Sequence, residues 1–216
     1  MFDNWLRYIY ELDVIFGFII LLVAAMIGLY SYKVYKFTKK RSYLLFSLSF
    51  LFIALGYAVK TGFDMLFQVE SLHRELFLKM VGFPFMQKTA LLSYMVLILI
   101  GYVIMIVISM KGNRKTALLF LLLLVVSLLI SQNYFLTFNL TIVILLCFLV
   151  YHFYKNFDKS RTLNAGIVWF GFLLILLSHV VIVFMLFSNK FYLLSNLMLV
   201  GGFGLLLLNY MLVLKK

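Results

Sequence analysis

Polar and charged residues fall into a few short clusters along the chain, with apolar stretches long enough to cross a bilayer running between them. A helix spanning a hydrocarbon core of about 30 Å needs roughly 20 mainly apolar residues. Six charge-free stretches qualify, 14–32, 42–59, 89–110, 116–154, 162–189 and 191–214. Five suit one crossing each. The fourth, at a rise of about 1.5 Å per residue, would make a helix of about 58 Å, nearly two membrane thicknesses, so it must turn back. Its internal polar cluster, Ser131, Gln132 and Asn133, supplies the turn-forming side chains. The pattern therefore predicts an all-α polytopic integral membrane protein of seven transmembrane helices in a single domain, residues 1–216. The spans lie at about 14–35, 42–60, 89–110, 115–131, 134–154, 163–188 and 191–213.

The one long connection, 61–88, reads in two ways. Phe63, Leu66, Phe67, Val69, Leu72, Leu76, Phe77 and Met80 alternate with charged and polar residues at fair helical spacing, as in an amphipathic helix resting on the membrane or capping the bundle. Alternatively, helices 2 and 3 extend beyond the bilayer.

Charge placement fixes the expected sidedness. Basic residues concentrate in short cytoplasmic loops. With seven spans and an external N-terminus, thirteen of the 19 Lys and Arg fall on the inner face: Lys33, Lys36, Lys39, Lys40, Arg41, Lys111, Arg114, Lys115, Lys155, Lys159, Arg161, Lys215 and Lys216. Asp158 is the acid that joins them, so the net charge is +12 inside and zero outside. Counting 116–154 as one crossing would instead put the 155–161 and 111–115 clusters on opposite faces. The C-terminus is thus expected to be cytoplasmic.

Each inner turn also carries a loose cassette, FTKKRSYLLF, KGNRKTALLF or FDKSRTLNAG, in which Ser or Thr opens the next helix as a suitable N-cap. Duplication would produce this repetition, but charge selection combined with capping is sufficient.

Composition removes whole classes of function. The 216 residues are 66% hydrophobic and 12% charged, with a mean hydropathy of +1.13, far outside the range of soluble domains. The +12 net charge accordingly reads as topology, and no nucleic-acid partner is expected. The expected location is the cell membrane, as a multi-pass protein. A lone Cys147 excludes an intrachain disulfide or a CxxC pair. Asp3, Arg7, Glu11 and Asp13 precede the first apolar run, so no cleavable signal peptide is expected. The abundance of Lys, Phe, Tyr and Leu hints at a prokaryotic source.

No charged residue lies within the predicted span cores, with Lys60 and Lys190 at span ends where snorkelling suffices. Carriers built on buried carboxylates, paired-carboxylate hydrolases and HExxH-type metal sites are therefore disfavoured. No catalytic residue, metal site or cofactor is expected. His152 and His179 fall at different membrane depths and do not make a bis-His haem site. His73 lies in the outer segment, and nothing in the spacing requires it to fold over His179.

His179 remains the most informative polar residue, because its ring nitrogens need partners that lipid cannot supply. It follows Ser178, and helix 7 returns Gly201, Gly202 and Gly204 to a similar depth. Small residues there mean either close helix contact or vacant volume. Tyr102 and Asn196 are placed to line the same region. The candidate ligand-binding set is His179, Ser178, Tyr102, Asn196, Gly201 and Gly202.

The layout is similar to that of rhodopsins, of seven-helix receptors and of prokaryotic seven-helix sensor modules. Specific motifs are missing, however. The last span contains no Lys to carry retinal, helix 3 ends ISMKGNRK rather than Asp-Arg-Tyr, and NYMLV in helix 7 lacks a Pro. The expectation is a non-enzymatic ligand- or lipid-sensing module that takes up a bound lipid or small apolar ligand in the bilayer. Such a module would act through a protein partner or as a homo-oligomer. The alternatives are a small-solute carrier or channel, and a structural subunit of a larger membrane complex.

Overall fold

Apolar runs with no competing turn residues become long helices, because a backbone in lipid must satisfy its own hydrogen bonds. The computed structural model describes residues 2–72, 83–110, 122, 124–186, 188 and 190–214. Its helices are α1 (Phe2–Thr38), α2 (Arg41–Leu72), α3 (Phe83–Met110), a piece of α4 over 124–130, α5 (Tyr134–Ser160), α6 (Leu163–Val183) and α7 (Lys190–Leu214). A 3₁₀ turn, Phe184–Leu186, follows α6. Among the described residues, six of these helices are long and apolar enough to cross a membrane.

The turns use the polar clusters. Asn133 caps α5 by accepting a hydrogen bond from the Leu136 amide at 3.1 Å, and Ser131 and Thr137 share a hydroxyl bond at 2.5 Å. The long apolar stretch is thus broken at the Ser131–Asn133 cluster. Thr162 caps α6 through the Ala165 amide. The α1–α2 and α5–α6 turns repeat one device. Lys39 and Arg161 both adopt left-handed backbone, at φ 54° and 48°, and donate their amides to the carbonyls of Tyr35 and Phe157. Thr116, in the second cassette, lies outside the described residues.

The six membrane-length helices close into a ring. Around it α1 packs on α2, α2 on α3, α3 on α5, α5 on α6, α6 on α7, and α7 back on α1. Neighbours α3 and α5 run in the same direction. Met110 ends α3 at the end of the ring that carries the Lys39–Arg41 and Lys155–Arg161 clusters, whereas α5 starts at the opposite end. The chain must therefore cross from one end of the ring to the other between Met110 and Tyr134, and the described part of α4, 124–130, leads into the start of α5. The result is a seven-helix apolar bundle and a multi-pass protein of the cell membrane.

Its outward surface is lipid-like, with Phe18, Leu22, Leu29, Leu51, Leu55, Ile144, Phe148, Leu177, Leu197 and Leu208 all exposed. The interior toward the basic end is filled. Phe50 meets Phe203 edge-on and Phe153 stacks on Phe172 at 4.6 Å, with Leu145, Leu149 and Leu206 around them. Ser47 donates to the Gly28 carbonyl, and Ser31 to the Tyr210 hydroxyl, each at 2.7 Å. These bonds tie α1 to α2 and to α7.

In the segment between helices 2 and 3, residues 61–72 continue α2 without a break and α3 starts at Phe83. The extended-helix reading describes these parts, while residues 73–82, including His73, lie outside the described residues. The α-helical part of α6 ends at Val183, several residues before the expected span end, because the chain tightens into the 3₁₀ turn. This shift changes which residues share a level with His179.

Candidate functional site

Ring closure leaves a cavity of about 480 Å³ at the end opposite the basic clusters, and all six ring helices contribute to its lining. The walls are mainly aromatic and aliphatic. Tyr57 and Tyr94 meet edge-on at 5.6 Å, and Tyr94 leans on Phe138 at 5.6 Å. Leu91, Met95, Ile182 and Leu199 complete much of the apolar surface.

His179 enters from α6 and is 7% exposed. Its Nδ1 lies 2.9 Å from Asn139 Oδ1, and the Asn139 amide nitrogen donates to the Phe135 carbonyl at 2.9 Å. Because that nitrogen is committed, Asn139 faces His179 with an acceptor, and Nδ1 carries the proton. Nε2 is then a lone-pair acceptor with no bonded partner among the described residues, on a side chain that lines the cavity. On the adjacent helix α7, Asn196 also lines the cavity and is 7% exposed, and its amide nitrogen makes no hydrogen bond of good geometry among the described residues, although the Tyr192 hydroxyl lies close to it.

Ser178 and Ser195 sit beside this pair. Ser195 donates to the Ser178 carbonyl at 2.9 Å, which locks α7 to α6, while the Ser178 hydroxyl is used up on the Ile175 carbonyl at 2.7 Å.

The mouth carries an ion cluster. Lys60 donates to Asp13 at 2.5 Å, linking α2 to α1, and reaches Asp64 one turn on at 3.2 Å. The three side chains are between 19% and 30% exposed, and the Tyr192 hydroxyl lies beside Asp13. The sequence puts Lys60 at a span end, free to snorkel. In the structure it turns inward, because two carboxylates converge on it. Two acids against one base give the cluster a formal charge of −1.

Of the residues singled out from sequence, His179, Ser178 and Asn196 line one cavity, while Tyr102, Gly201 and Gly202 do not. Tyr102 is buried, at 2% exposure, in the helix core outside the lining. A Cβ on Gly202 would lie 2.8 Å from the Gly171 carbonyl oxygen, so here α6 and α7 touch backbone to backbone. Gly201 is exposed on the outer surface, and a Cβ on Gly204 would meet nothing within 4 Å. At the level of His179, α7 presents Ser195, Asn196 and Leu199, and the glycines come about a turn deeper. Measured from Val183, His179 is only four residues from the end of α6.

Sequence reading missed Asp13, Lys60, Asn139 and Tyr192 in this site. The four-residue spacing of Lys60 and Asp64 was a legible signal once residues 61–72 are read as helix. The Asp13–Lys60 and Asn139–His179 pairs, 47 and 40 residues apart, leave no local trace. His152, near the basic end, packs its ring edge-on against Phe153. Among the described residues, no group of three or more His, Cys, Asp or Glu is placed to hold a metal ion.

Fold and site together define a multi-pass helical membrane protein with an aromatic-walled cavity at one end of the bundle. Comparison of the chain with family models, curated proteins and solved structures finds no match.

Proposed function

We propose that this chain is a non-enzymatic sensing module that takes a small apolar or lipid-like ligand into the cavity and signals through a protein partner. The observation that carries this reading is the lining itself, a 480 Å³ space walled by aromatic and aliphatic side chains with a few converging polar groups. That is the usual make-up of a small-molecule site. Leu91 and Phe135, on the adjacent helices α3 and α5, line the cavity and are also exposed, giving it an apolar rim on the side a lipid-borne ligand would use. The filled interior around Phe50, Phe172 and Phe203 favours sensing over carriage, which needs a route to the other face. The N-terminus and the cavity face outward, and the basic turns face the cytoplasm, in line with the positive-inside rule.

The test is a ligand-dependent rise in thermal midpoint for the purified protein in lipid nanodiscs. A ligand present at a hundred times its dissociation constant stabilises by about 2.7 kcal/mol. Ile182→Trp, which sets a bulky ring into the cavity from its wall, is expected to abolish that rise while the ligand-free protein still folds. Stabilisation that survives Ile182→Trp would place the ligand elsewhere and overturn this reading.

A further inference from the structure

We infer that the ligand is a neutral amphiphile whose head carries both a hydrogen-bond donor and an acceptor, as a hydroxyl does. This inference rests on the proposed ligand-sensing reading and specifies the chemistry of that same site. Two groups of opposite kind in the lining lack partners among the described residues. His179 Nε2 needs a donor, since the Asn139 contact fixes the proton on Nδ1. The Asn196 amide nitrogen needs an acceptor. A hydroxyl supplies both functions, an O–H for Nε2 and an oxygen lone pair for the amide. An unmet buried polar group is costly, so a ligand lacking either function leaves a penalty in place.

Charge narrows the class further. The deep polar groups, Asn139, Ser178, His179 and Asn196, offer no fixed charge to an ionised head. The cluster at the mouth has one more carboxylate than it has cations, which opposes a carboxylate or phosphate head. A cationic head finds both Asp13 and Asp64 already engaged by Lys60, and burying it without a counter-ion is unfavourable. Size sets the tail. At roughly 30 Å³ per water-sized group, the cavity holds about sixteen such groups, enough for a medium-length alkyl chain.

The experiment compares four probes of matched chain in nanodiscs, each titrated over the same range of mole fractions: dodecanol, its isomer methyl undecyl ether, dodecanoate at alkaline pH, and dodecyltrimethylammonium. The readout is the concentration giving half the maximal rise in thermal midpoint. Dodecanol is expected to act at about a tenfold lower concentration than the ether, which accepts but cannot donate. Dodecanoate is expected to be weaker still. His179→Phe should erase the preference for alcohol over ether while both still bind. If that variant does not fold, Asn196→Leu makes the same test from the other side of the head, and should weaken both probes so that their ratio to an alkane of equal length collapses. Equal action by ether and alcohol, or the strongest action by the cation, overturns the head assignment but leaves the ligand site standing. If no probe raises the midpoint and Ile182→Trp leaves stability unchanged, the sensing reading falls with it.

Discussion

A single methyl group separates two outcomes on α7. Gly202 faces the Gly171 carbonyl across the α6–α7 contact, where an added Cβ would lie 2.8 Å from that oxygen and 2.6 Å from Ile175 Cγ1. The contact leaves little room to yield, because Ile175 at it and Phe203 beside it are both buried. Gly202→Ala is therefore expected to cost about 1–3 kcal/mol, in the range of overpacked cores. Gly204→Ala, with open space around it, is expected to be neutral or to gain up to about 1 kcal/mol from helix propensity. Thermal midpoints of the two variants in one detergent check the contrast, and a destabilised Gly204→Ala would show that its surroundings are mistaken here. Gly201→Leu, on the exposed face, should leave folding and ligand response alike.

Between elements, polar contacts set how helices are held, since apolar faces are equally content against lipid or one another. The Lys60 bridge is the sharpest case, tying α1 to α2 through Asp13 and crossing to Asp64 on its own helix. Lys60→Met removes the cation of the cluster and leaves two partly buried carboxylates without it. The expected loss is roughly 3 kcal/mol, the usual cost of orphaning a buried charge. Converting Asp13 and Asp64 to Asn in the same protein should restore most of it, because replacing a whole buried ion cluster with neutral groups is often nearly free. Unfolding midpoints of the single and triple variants measure this. A triple variant no more stable than Lys60→Met would mean that the cluster acts through geometry rather than charge.

For the whole molecule, the two ends of the ring differ in charge, and that difference carries the sidedness. Asn133 is exposed at the cavity end and Ser160 at the basic end. In a Cys147→Ser background, an impermeant thiol reagent applied to intact cells is expected to label Asn133→Cys and to leave Ser160→Cys unmodified until the membrane is opened. The reverse pattern would invert the protein and put the cavity mouth in the cytoplasm. Either way the parallel run of α3 and α5 stands, and with it the need for a crossing between them.

The spans, the break at Ser131–Asn133 and the basic character of one end were legible in the sequence because each depends on local composition. Twenty apolar residues must be helical in lipid, a polar cluster in an overlong run must lie at an interface, and charges cannot be hidden. His179 was legible for the same reason, as a polar ring in an apolar helix. Its surroundings were not. Helices apolar on every side carry little amphipathic signal to fix their rotation, and each residue turns the direction of a side chain by about 100°. That one step puts Gly201 toward lipid and Gly202 against Gly171. The early end of α6 at Val183 shifts His179 by about a turn, to share a cavity with Asn196 rather than with the glycines. The meetings of Asp13 with Lys60 and of Asn139 with His179 were likewise decided by tertiary structure alone. Which faces turn inward is settled only when six helices close a ring and their few polar groups must find one another away from water.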